Sequence, residues 1–300
     1  MRIFLTGATG FIGSHIVPEL LAAGHKVLGL TRSAAGAQAL IDAGAEPYHG
    51  TIDEPESLVD GVTQADAVIH TAFDHNFANF VANCEKDRRV IRVLGQALAG
   101  SDRPLIITSG TGMGAVEPGQ IATESQFNAH HPHPRVASEL EGAEVSAAGV
   151  KVIVVRLPQV HDTRRQGLIT PLIDLARQKG KSAYVGEGNN RFAAAHVSDV
   201  ARLYRLAVEH GRAGERFHAV GEEGIAARDI ATVIGSGLGV PVVSLPPEQV
   251  EDHFGWLGMF VGLDMAASSQ WTRQRLGWYP EGVGLIADLR KMDYGTLLPH

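Results

Sequence analysis

The stretch TGATGFIG, residues 6–13, constrains this chain most, because of where its glycines stand. It follows the short apolar run RIFLT and opens the periodic apolar segment GFIGSHIVPELLAAG, which ends at Gly24. The first pattern predicts a buried strand and the second predicts a helix. Three glycines at this spacing, between a strand and a helix, are typical of a turn that binds the pyrophosphate of a dinucleotide.

Each glycine of this turn has a separate physical task. Gly7 allows the tight turn, Gly10 lets the backbone approach a phosphate, and Gly13 lets the helix pack closely on the strand. We expect the backbone N–H groups of Phe11 and Ile12 to point out of the helix N-terminus, where the helix dipole favours an anion. The turn therefore predicts a bound dinucleotide; a glycine-rich turn without a ligand is the alternative.

The end of the second predicted strand, KVLGLTR, bears on the choice of cofactor. An acidic residue at this point binds the ribose hydroxyls of NAD(H) and repels the 2′-phosphate of NADP(H). This chain has Thr31, Arg32 and Ser33 instead, and its next carboxylate is Asp42. A guanidinium can clamp a phosphate, with the two hydroxyls in support. We predict NADP(H) rather than NAD(H). The alternative is that Arg32 is a solvated loop residue and that NAD(H) binds through its diphosphate alone.

The first half of the chain alternates strand and helix patterns. The runs AEPYHG, ADAVIHTAF, PLIITSG and VKVIVVRLP predict four further strands, with a long helix from about Phe77 to Ala99 between the second and third of them. Continuous Val, Ile and Leu runs are typical of strands covered on both faces. We therefore predict an α/β fold with a Rossmann-type doubly wound parallel sheet. The mixed pattern after Pro158 indicates a smaller, mixed C-terminal substrate-binding part.

We expect these two parts to interleave along the chain. The dinucleotide-binding domain takes residues 1–157 and about 194–222, and the substrate-binding part takes about 158–193 and 223–300. SAYVGEGNNRFAAAHVSDVARLYRLAVEHG is predicted as a loop and then a helix that Ser198 caps, and RFHAVGEEG as a strand. The apolar run HFGWLGMFVGLDM is interpreted either as a hydrophobic lid or wall, or as ordinary core.

The bulk composition bears on the partners of the chain. Its 26 basic and 33 acidic residues give a net charge of −7, which offers no electrostatic footprint for nucleic acid or anionic lipid. No apolar run approaches the ~18 residues that a membrane span needs. The histidines scatter without metal-ligand spacing, and the single Cys84 can form neither a zinc site nor an intrachain disulfide. We expect a cytoplasmic protein with a small-molecule substrate and without a metal, nucleic acid or membrane partner.

Motifs spread over nearly the whole chain resemble the extended, epimerase/dehydratase-like short-chain dehydrogenases/reductases. They are TGATGFIG, ADAVIHTAF, LIITSGTG, VVRLPQVHD, VGEGNNR, HVSDVARLY and the terminal LGWYP. The resemblance implies that Ala72 and its neighbours line the nicotinamide side, and that the Leu157–Pro158 turn contacts the nicotinamide. That family often has an acidic residue after the third strand, at the adenine. Here Thr51 and Ile52 stand at that place, so the contact is altered.

The turn and the resemblance together predict the residues that contact the cofactor. They are Gly7, Thr9, Gly10, Phe11, Ile12, Gly13, Thr31, Arg32, Ser33, Thr51, Ile52, Ala72, Phe73, Thr108, Leu157 and Pro158.

The chain departs from that family at its catalytic signature. The resemblance implies a Tyr-x-x-x-Lys turn, in which the lysine lowers the pKa of the tyrosine so that it can exchange a proton with the substrate. The matching residues here are Arg135 and Glu139, and the family's serine falls near Gly110, with Ser109 and Thr111 beside it. Arginine cannot donate a proton near neutral pH. We interpret Arg135 and Glu139 as an i,i+4 ion pair on a helix face. Alternatively, Arg135 reaches the nicotinamide ribose or an anionic substrate.

Another side chain must then neutralise the charge at a substrate oxygen. We predict His161 first, because it follows the Pro158 turn by three residues and because imidazole titrates in the right range. Its neighbour Asp162 is expected to orient the ring. Thr111, beside the lost serine, and His75, in the loop after the fourth strand, are the other catalytic candidates.

Three functions stay open at this point. We favour an NADP(H)-dependent oxidoreductase of the atypical short-chain type, acting on a small carbonyl or activated alkene with a non-standard proton donor. The second is a non-catalytic NAD(P)-binding sensor or regulator, which the loss of both Tyr and Lys favours. The third is an epimerase or isomerase that uses the nicotinamide transiently.

The resemblance also implies a homodimer. Its interface would combine the helix from about Phe77 to Ala99 with the helix from about Arg135 to Ala148. The second helix carries an apolar stripe at helical spacing, which is fit for a partner. The stripe consists of Val136, Leu140, Ala143 and Ala147. The alternative is that the stripe packs only on its own sheet.

Overall fold

The computed structural model describes residues 1–117 and 119–295. Its strands are β1 (Arg2–Thr6), β2 (Lys26–Thr31), β3 (Glu46–His49), β4 (Ala67–His70), β5 (Pro104–Gly110), β6 (Lys151–Leu157), β7 (Gln159–His161), β8 (Ser182–Val185), β9 (Arg191–His196), β10 (Arg216–His218), β11 (Glu222–Ala226) and β12 (Val242–Leu245). Its helices are α1 (Gly13–Ala22), α2 (Ala34–Asp42), α3 (Val59–Thr63), α4 (Phe80–Leu98), α5 (Val136–Ala147), α6 (Ile169–Lys179), α7 (Val197–His210), α8 (Ala227–Leu238), α9 (Val250–Phe254), α10 (Gly258–Val261), α11 (Gln270–Leu276) and α12 (Leu285–Lys291).

A parallel sheet forms the centre of the fold. Its strand order is β3-β2-β1-β4-β5-β6-β10, and every neighbouring pair is parallel. The chain order reverses between β1 and β4, which is the point where ligands bind in sheets of this kind. The predicted Rossmann-type doubly wound sheet is confirmed.

Burial on both faces explains the continuous apolar strands. In β1, Ile3 packs in one layer with Ile16 of α1 and Tyr204 of α7. Its neighbour Phe4 packs in the opposite layer with Ile91 of α4. Because successive side chains of a strand point to opposite faces, a strand covered on both sides must be apolar at every position.

The smaller sheets lie in the C-terminal half. β11, β9 and β7 form one of them, and β12 pairs with β8. The chain returns to the central sheet at β10, which pairs with β6. This pairing agrees with the interleaving that the sequence indicates, while the domain boundaries themselves stay predictions.

Three local predictions in this half were wrong. The N-cap of α7 is His196, whose ring Nδ1 accepts the backbone N–H of Ser198; Ser198 itself lies inside the helix. The segment predicted as a loop contains β8 and β9, the second of which is rich in alanine, a residue that signals strands poorly. RFHAVGEEG divides between β10 and β11, which belong to different sheets.

The outer face of α5 carries the apolar stripe predicted for a partner. Val136 and Leu140 are half-buried, and Ala143 and Ala147 are exposed. The alternative, that this stripe packs only on its own sheet, is wrong, because other α5 residues such as Val145 face inward. In the ranges that the structure describes, no helix combines the length and apolar character needed to cross a membrane.

Candidate cofactor and substrate site

The glycine turn between β1 and α1 is tightly packed at two of its three glycines. A Cβ added to Gly7 would lie 2.7 Å from Thr71 Oγ1, and one added to Gly13 would lie 2.0 Å from the Gly7 carbonyl oxygen. Gly7 also has φ 72°, in the left-handed region. At Gly10, by contrast, an added Cβ would meet one described atom within 4 Å, the Gly7 oxygen at 3.2 Å. The open side of Gly10 therefore leaves room for a ligand.

The N-terminus of α1 fits an anion. The backbone N–H groups of Phe11 and Ile12 have no recorded partner among the described residues, and the first turn of the helix carries no acidic side chain. Thr9 is exposed beside them. Free N–H groups at a helix start bind phosphate, so these residues would hold the pyrophosphate of a dinucleotide.

The end of β2 offers one free cation. Arg32 is exposed, and no ion pair to it is recorded within the described ranges. Ser33 caps α2 by accepting the Gly36 N–H at 3.0 Å, which leaves its hydroxyl proton free. The buried Thr31 donates to the Ser33 carbonyl. Arg32 and Ser33 are thus the two members of this trio placed to meet a phosphate.

The loops after β3 and β4 are joined by a lysine. Lys86 Nζ donates to Asp53 at 2.6 Å and to Asp74 at 2.9 Å, and the bond from Lys86 lowers the pKa of Asp53. Thr51, at the predicted adenine contact, bonds through its backbone to Ser57 and through its hydroxyl to Asp53. Ile52, Ala72 and Phe73 are half-buried and stay predicted cofactor contacts, as do Leu157 and Pro158.

Arg135 is held at the N-terminus of α5 by three elements. Its Nη1 donates to Asp87 of α4 at 2.7 Å and to Ser138 at 2.8 Å. Its Nη2 donates to the Thr108 carbonyl of β5 at 3.0 Å. The guanidinium carbon lies 4.2 Å from the centre of the Phe73 ring. Arg135 is therefore fixed beside the loop that follows β4.

Asp87 anchors this arrangement from inside the protein. Its side chain is buried, and it accepts hydrogen bonds from Arg135 and from the Ser138 hydroxyl. Its other oxygen lies 3.0 Å from His70 Nε2. Burial alone would raise the pKa of Asp87, but Arg135 and then His70 outweigh it and lower the pKa to about 2. The carboxylate thus keeps its charge and holds Arg135 in place.

Hydrogen bonding connects Asp87 to the start of the loop after β4. The Thr6 hydroxyl accepts the backbone N–H groups of Thr71 and Ala72, and it lies 2.7 Å from His70 Nδ1. The hydroxyl must then donate to Nδ1, so Nε2 carries the proton that His70 shares with Asp87. The chain Thr6–His70–Asp87 therefore links the end of β1 to Arg135.

Glu139 does not pair with Arg135, so the predicted i,i+4 ion pair was wrong. Glu139 is fully buried and accepts two hydrogen bonds from Arg156 of β6, at 2.7 and 2.8 Å. It also accepts one from Arg216 of β10 at 3.0 Å. Arg156 in turn donates to the carbonyl of Gln126. The residue that the resemblance matches to the family's lysine is therefore the ion-pair partner of two arginines, the buried Arg156 and the half-buried Arg216.

His161 does not reach the site, which argues against its predicted role as proton donor. The ring is fully buried, and its Nδ1 lies 2.7 Å from Asp288 of α12. Its Nε2 faces Glu222 at 4.0 Å. Burial lowers the pKa of His161, although Asp288 opposes that effect. Asp162, expected to orient the ring, instead accepts the backbone N–H groups of the turn that follows it.

The remaining predicted catalytic and cofactor-binding residues lie in different surroundings. His75 is exposed beside Phe73, and partial desolvation, followed by the charge of Arg135, lowers its pKa. Thr111 is buried in the turn after β5. The Thr108 hydroxyl is committed to the His70 carbonyl and to Tyr204, which argues against a cofactor contact through this hydroxyl.

Open space lies in front of the position that matches the family's serine. A Cβ added to Gly110 would meet no described atom within 4 Å. The neighbouring Ser109 hydroxyl is buried and has no recorded partner in the described part of the chain. The open space and the unpaired hydroxyl indicate that the edge of the sheet beside Gly110 is accessible to a ligand.

Aromatic side chains form the wall of this region. Phe77 stacks on Trp256, with ring centres 4.4 Å apart and planes at 10°. Phe260 packs edge-on to Phe77 and to Phe80. Leu257, from the same run, instead packs in a buried cluster. The apolar run HFGWLGMFVGLDM therefore contributes residues both to the aromatic wall and to the hydrophobic core.

Among the described residues, the site offers neither a convergent set of metal ligands nor a reactive thiol. In residues 1–117 and 119–295, no three His, Cys, Asp or Glu side chains converge as metal ligands. Cys84 is buried against the Phe80 cluster, and burial raises its pKa to about 11.

Sequence reasoning missed Asp87 and Arg156. The segment EKDRR around Asp87 is typical of a solvated helix face, and no local pattern distinguishes a buried aspartate within it. A buried charge on a continuous apolar strand, as Arg156 is in VKVIVVRLP, was the one available signal.

A parallel sheet in this order, with a glycine turn at the point of reversal, defines a Rossmann-type dinucleotide-binding protein. A sequence model described as "NAD dependent epimerase/dehydratase family" matches residues 3–220. The chain therefore belongs to the NAD dependent epimerase/dehydratase family.

Individual relatives agree with this assignment. An uncharacterized protein of Schizosaccharomyces pombe is 44% identical over 98% of this chain and 100% of its own length. The sterol-4-alpha-carboxylate 3-dehydrogenase, decarboxylating, of Dictyostelium discoideum is 25% identical over 77% of this chain and 74% of its own length. The crystal structure of DesIV, a dTDP-glucose 4,6-dehydratase from Streptomyces venezuelae with NAD and TYD bound, superimposes with a TM-score of 0.77 at 22% identity, covering 98% of this chain and 96% of that one. This last likeness concerns the fold alone.

Proposed function

We propose that this protein is an NADP(H)-dependent oxidoreductase that acts on a small carbonyl compound or activated alkene. The observation that carries the proposal is the open N-terminus of α1 together with the exposed Arg32 at the end of β2. The first would hold the pyrophosphate, and the second would hold the 2′-phosphate that distinguishes NADP(H) from NAD(H). When bound, the cofactor supplies or accepts a hydride.

The residues of the chain provide binding and orientation. The turn around Gly10 admits the pyrophosphate, and Asp87 holds Arg135 beside Phe73, where a substrate oxygen could accept its N–H groups. The aromatic wall formed by Phe77 and Trp256 would give a substrate an apolar surface to pack against. Since His161 is enclosed in the protein, a proton would have to come from His75, Thr111 or solvent.

Calorimetric titration tests the cofactor assignment. We expect the wild-type protein to bind NADPH more tightly than NADH. Arg32→Ala should weaken NADPH by about 1.5–3 kcal/mol, the worth of a charge-assisted hydrogen bond, and leave NADH nearly unchanged. Arg89→Ala, at an exposed position of α4, is the matched control. Equal losses for both cofactors would place Arg32 outside the cofactor site.

A sensor without catalysis is the second candidate, because Arg135 and Glu139 are both engaged in ion pairs. Oxidation of NADPH with a panel of carbonyl compounds separates the two functions. Binding without turnover of any member would favour the sensor. A cofactor that stays bound through purification would instead point to transient use of the nicotinamide, as in an epimerase.

A further inference from the structure

We infer that Arg135 and the rings beside it form a subsite for flat, conjugated oxygen compounds, namely a quinone and the phenolate that its reduction produces. This assignment rests on the proposed function, of which it names the substrate class. Three features of the site carry it: the free donors of Arg135, the acids available there, and the shape of the wall.

Arg135 has donors left for a ligand. The side chain of an arginine carries five N–H groups, and three hydrogen bonds of Arg135 are recorded, to Asp87, Ser138 and Thr108. Two donors therefore have no partner in the described part of the chain. The side chain is 13% exposed, so these donors can be reached. Because Asp87 fixes the guanidinium, they are oriented before a ligand arrives.

The titratable side chains at this site restrict which substrate oxygen can take up the negative charge that reduction leaves. Arginine does not release a proton. Two histidines lie among these rings, His75 beside Phe73 and His133 edge-on to Phe80. Both have lowered pKa values, about 4 for His133 as a result of burial, so both are neutral at pH 7. Reduction of an isolated carbonyl leaves an alkoxide that is nearly as basic as hydroxide, whose conjugate acid, water, has a pKa of about 15.7. Reduction of a quinone leaves a phenolate, whose conjugate acid titrates near pKa ~10, as tyrosine does.

The reaction is balanced without a protein acid when the acceptor is a quinone. The reduced nicotinamide cofactor gives two electrons and one proton as a hydride and is left oxidised. The quinone becomes a hydroquinone monoanion, whose negative charge rests on the oxygen that Arg135 binds. A proton from solvent then gives the hydroquinone.

The wall has the shape that a flat ring requires. Phe73 lies against the guanidinium and 5.4 Å from the His75 ring, edge to face. Phe77 and Trp256 stack on each other, and Trp256, which is 39% exposed, has ring surface left for a ligand. Aromatic faces at the edge of a charged donor group favour a planar conjugated ligand over a sugar or an aliphatic chain.

A phenol whose absorbance changes on ionisation tests the subsite in the absence of cofactor. We expect 4-nitrophenol to bind as the phenolate, with its titration midpoint lowered by about one pH unit in the complex. Arg135→Met should abolish this shift. Because that change leaves Asp87 buried and unpaired, the double variant Arg135→Met/Asp87→Asn should be measured as well. Arg89→Met, at an exposed arginine of the same helix α4, is the matched control and should keep the full shift.

The outcomes separate this inference from the proposed function. A phenol that binds without a shift, or whose shift survives in the double variant, would overturn the subsite even if NADPH binds and other carbonyls are reduced. Trp256→Ala should weaken phenolate binding about tenfold, by loss of the stacking face. Failure of NADPH to bind would remove the proposed function, while the absorbance test of Arg135 would stand by itself.

Discussion

Glu139 stands where the resemblance to the family implies a lysine, and its surroundings explain why a lysine would not fit here. The carboxylate is fully buried between Arg156 and Arg216. A lysine at this position would bring a third positive charge into the same buried space, with no anion to compensate it. The family's catalytic turn therefore cannot be restored by changing Arg135 and Glu139 alone.

Removal of this carboxylate should destabilise the fold strongly. Glu139→Ala leaves Arg156 buried without its ion-pair partner, and breaking such a pair costs about 3–5 kcal/mol. Glu144→Ala, on the exposed face of the same helix, should change the free energy of unfolding by less than about 0.5 kcal/mol. Urea denaturation of both variants measures the difference. Equal stability of the two would show that Glu139 is not the partner of the arginines.

Asp87 should make the protein sensitive to acid. Its pKa falls from 3.8 to about 2 in the folded state. A carboxyl with a lowered folded pKa stabilises the fold above its unfolded pKa, and that stability, here about 2 kcal/mol, is lost as the pH falls from about 4 to 2. We expect the unfolding free energy of the wild type to drop over this range. In Asp87→Asn this part of the drop should be absent, and an unchanged profile would contradict the pairing.

At the level of the elements, the sequence predicted those features that a short segment determines by itself. The continuous apolar runs predicted the strands of the central sheet, and the glycine turn could be predicted because it lies wholly within one strand–helix unit. Contacts between distant segments had no local signal. Arg135 and Asp87 are 48 positions apart, and His161 and Asp288 are 127 apart. The partner of each titratable group, and hence its chemistry, became known only with the tertiary structure.

The turn before α1 contains one glycine that ligand binding requires, Gly10, and one that the fold requires, Gly13. Gly10→Val should abolish dinucleotide binding and leave the fold intact, because its Cβ would meet the Gly7 carbonyl oxygen alone among the described atoms, at 3.2 Å. Gly13→Val should instead disrupt the packing of α1 on β1, since its Cβ would lie 2.0 Å from the Gly7 oxygen. Calorimetry and circular dichroism on both variants test this contrast. A folded Gly10→Val that binds NADPH normally would remove the turn from the cofactor site.

At the scale of the whole molecule, α5 and the first turn of α4 carry apolar residues on their outer faces within the described chain. The two helices are joined by Glu141, which pairs with Arg88 and Arg92. Val81 of α4 is 64% exposed, and in the α5 stripe Val136 and Leu140 are half-buried while Ala143 and Ala147 are exposed. Apolar positions on the outer faces of two helices that pack together favour self-association around a two-fold axis.

We propose on this basis that two copies of the chain associate through α4 and α5. Light scattering at micromolar concentration should give twice the 31.9 kDa mass of one chain. Leu140→Glu should shift the protein to monomers, because a carboxylate would face its own copy across the axis in an apolar contact. Ile41→Glu is the matched control, since Ile41 is an apolar residue 53% exposed on α2, away from this surface. A wild-type monomer would reject the dimer, and dissociation by both variants would place the interface elsewhere.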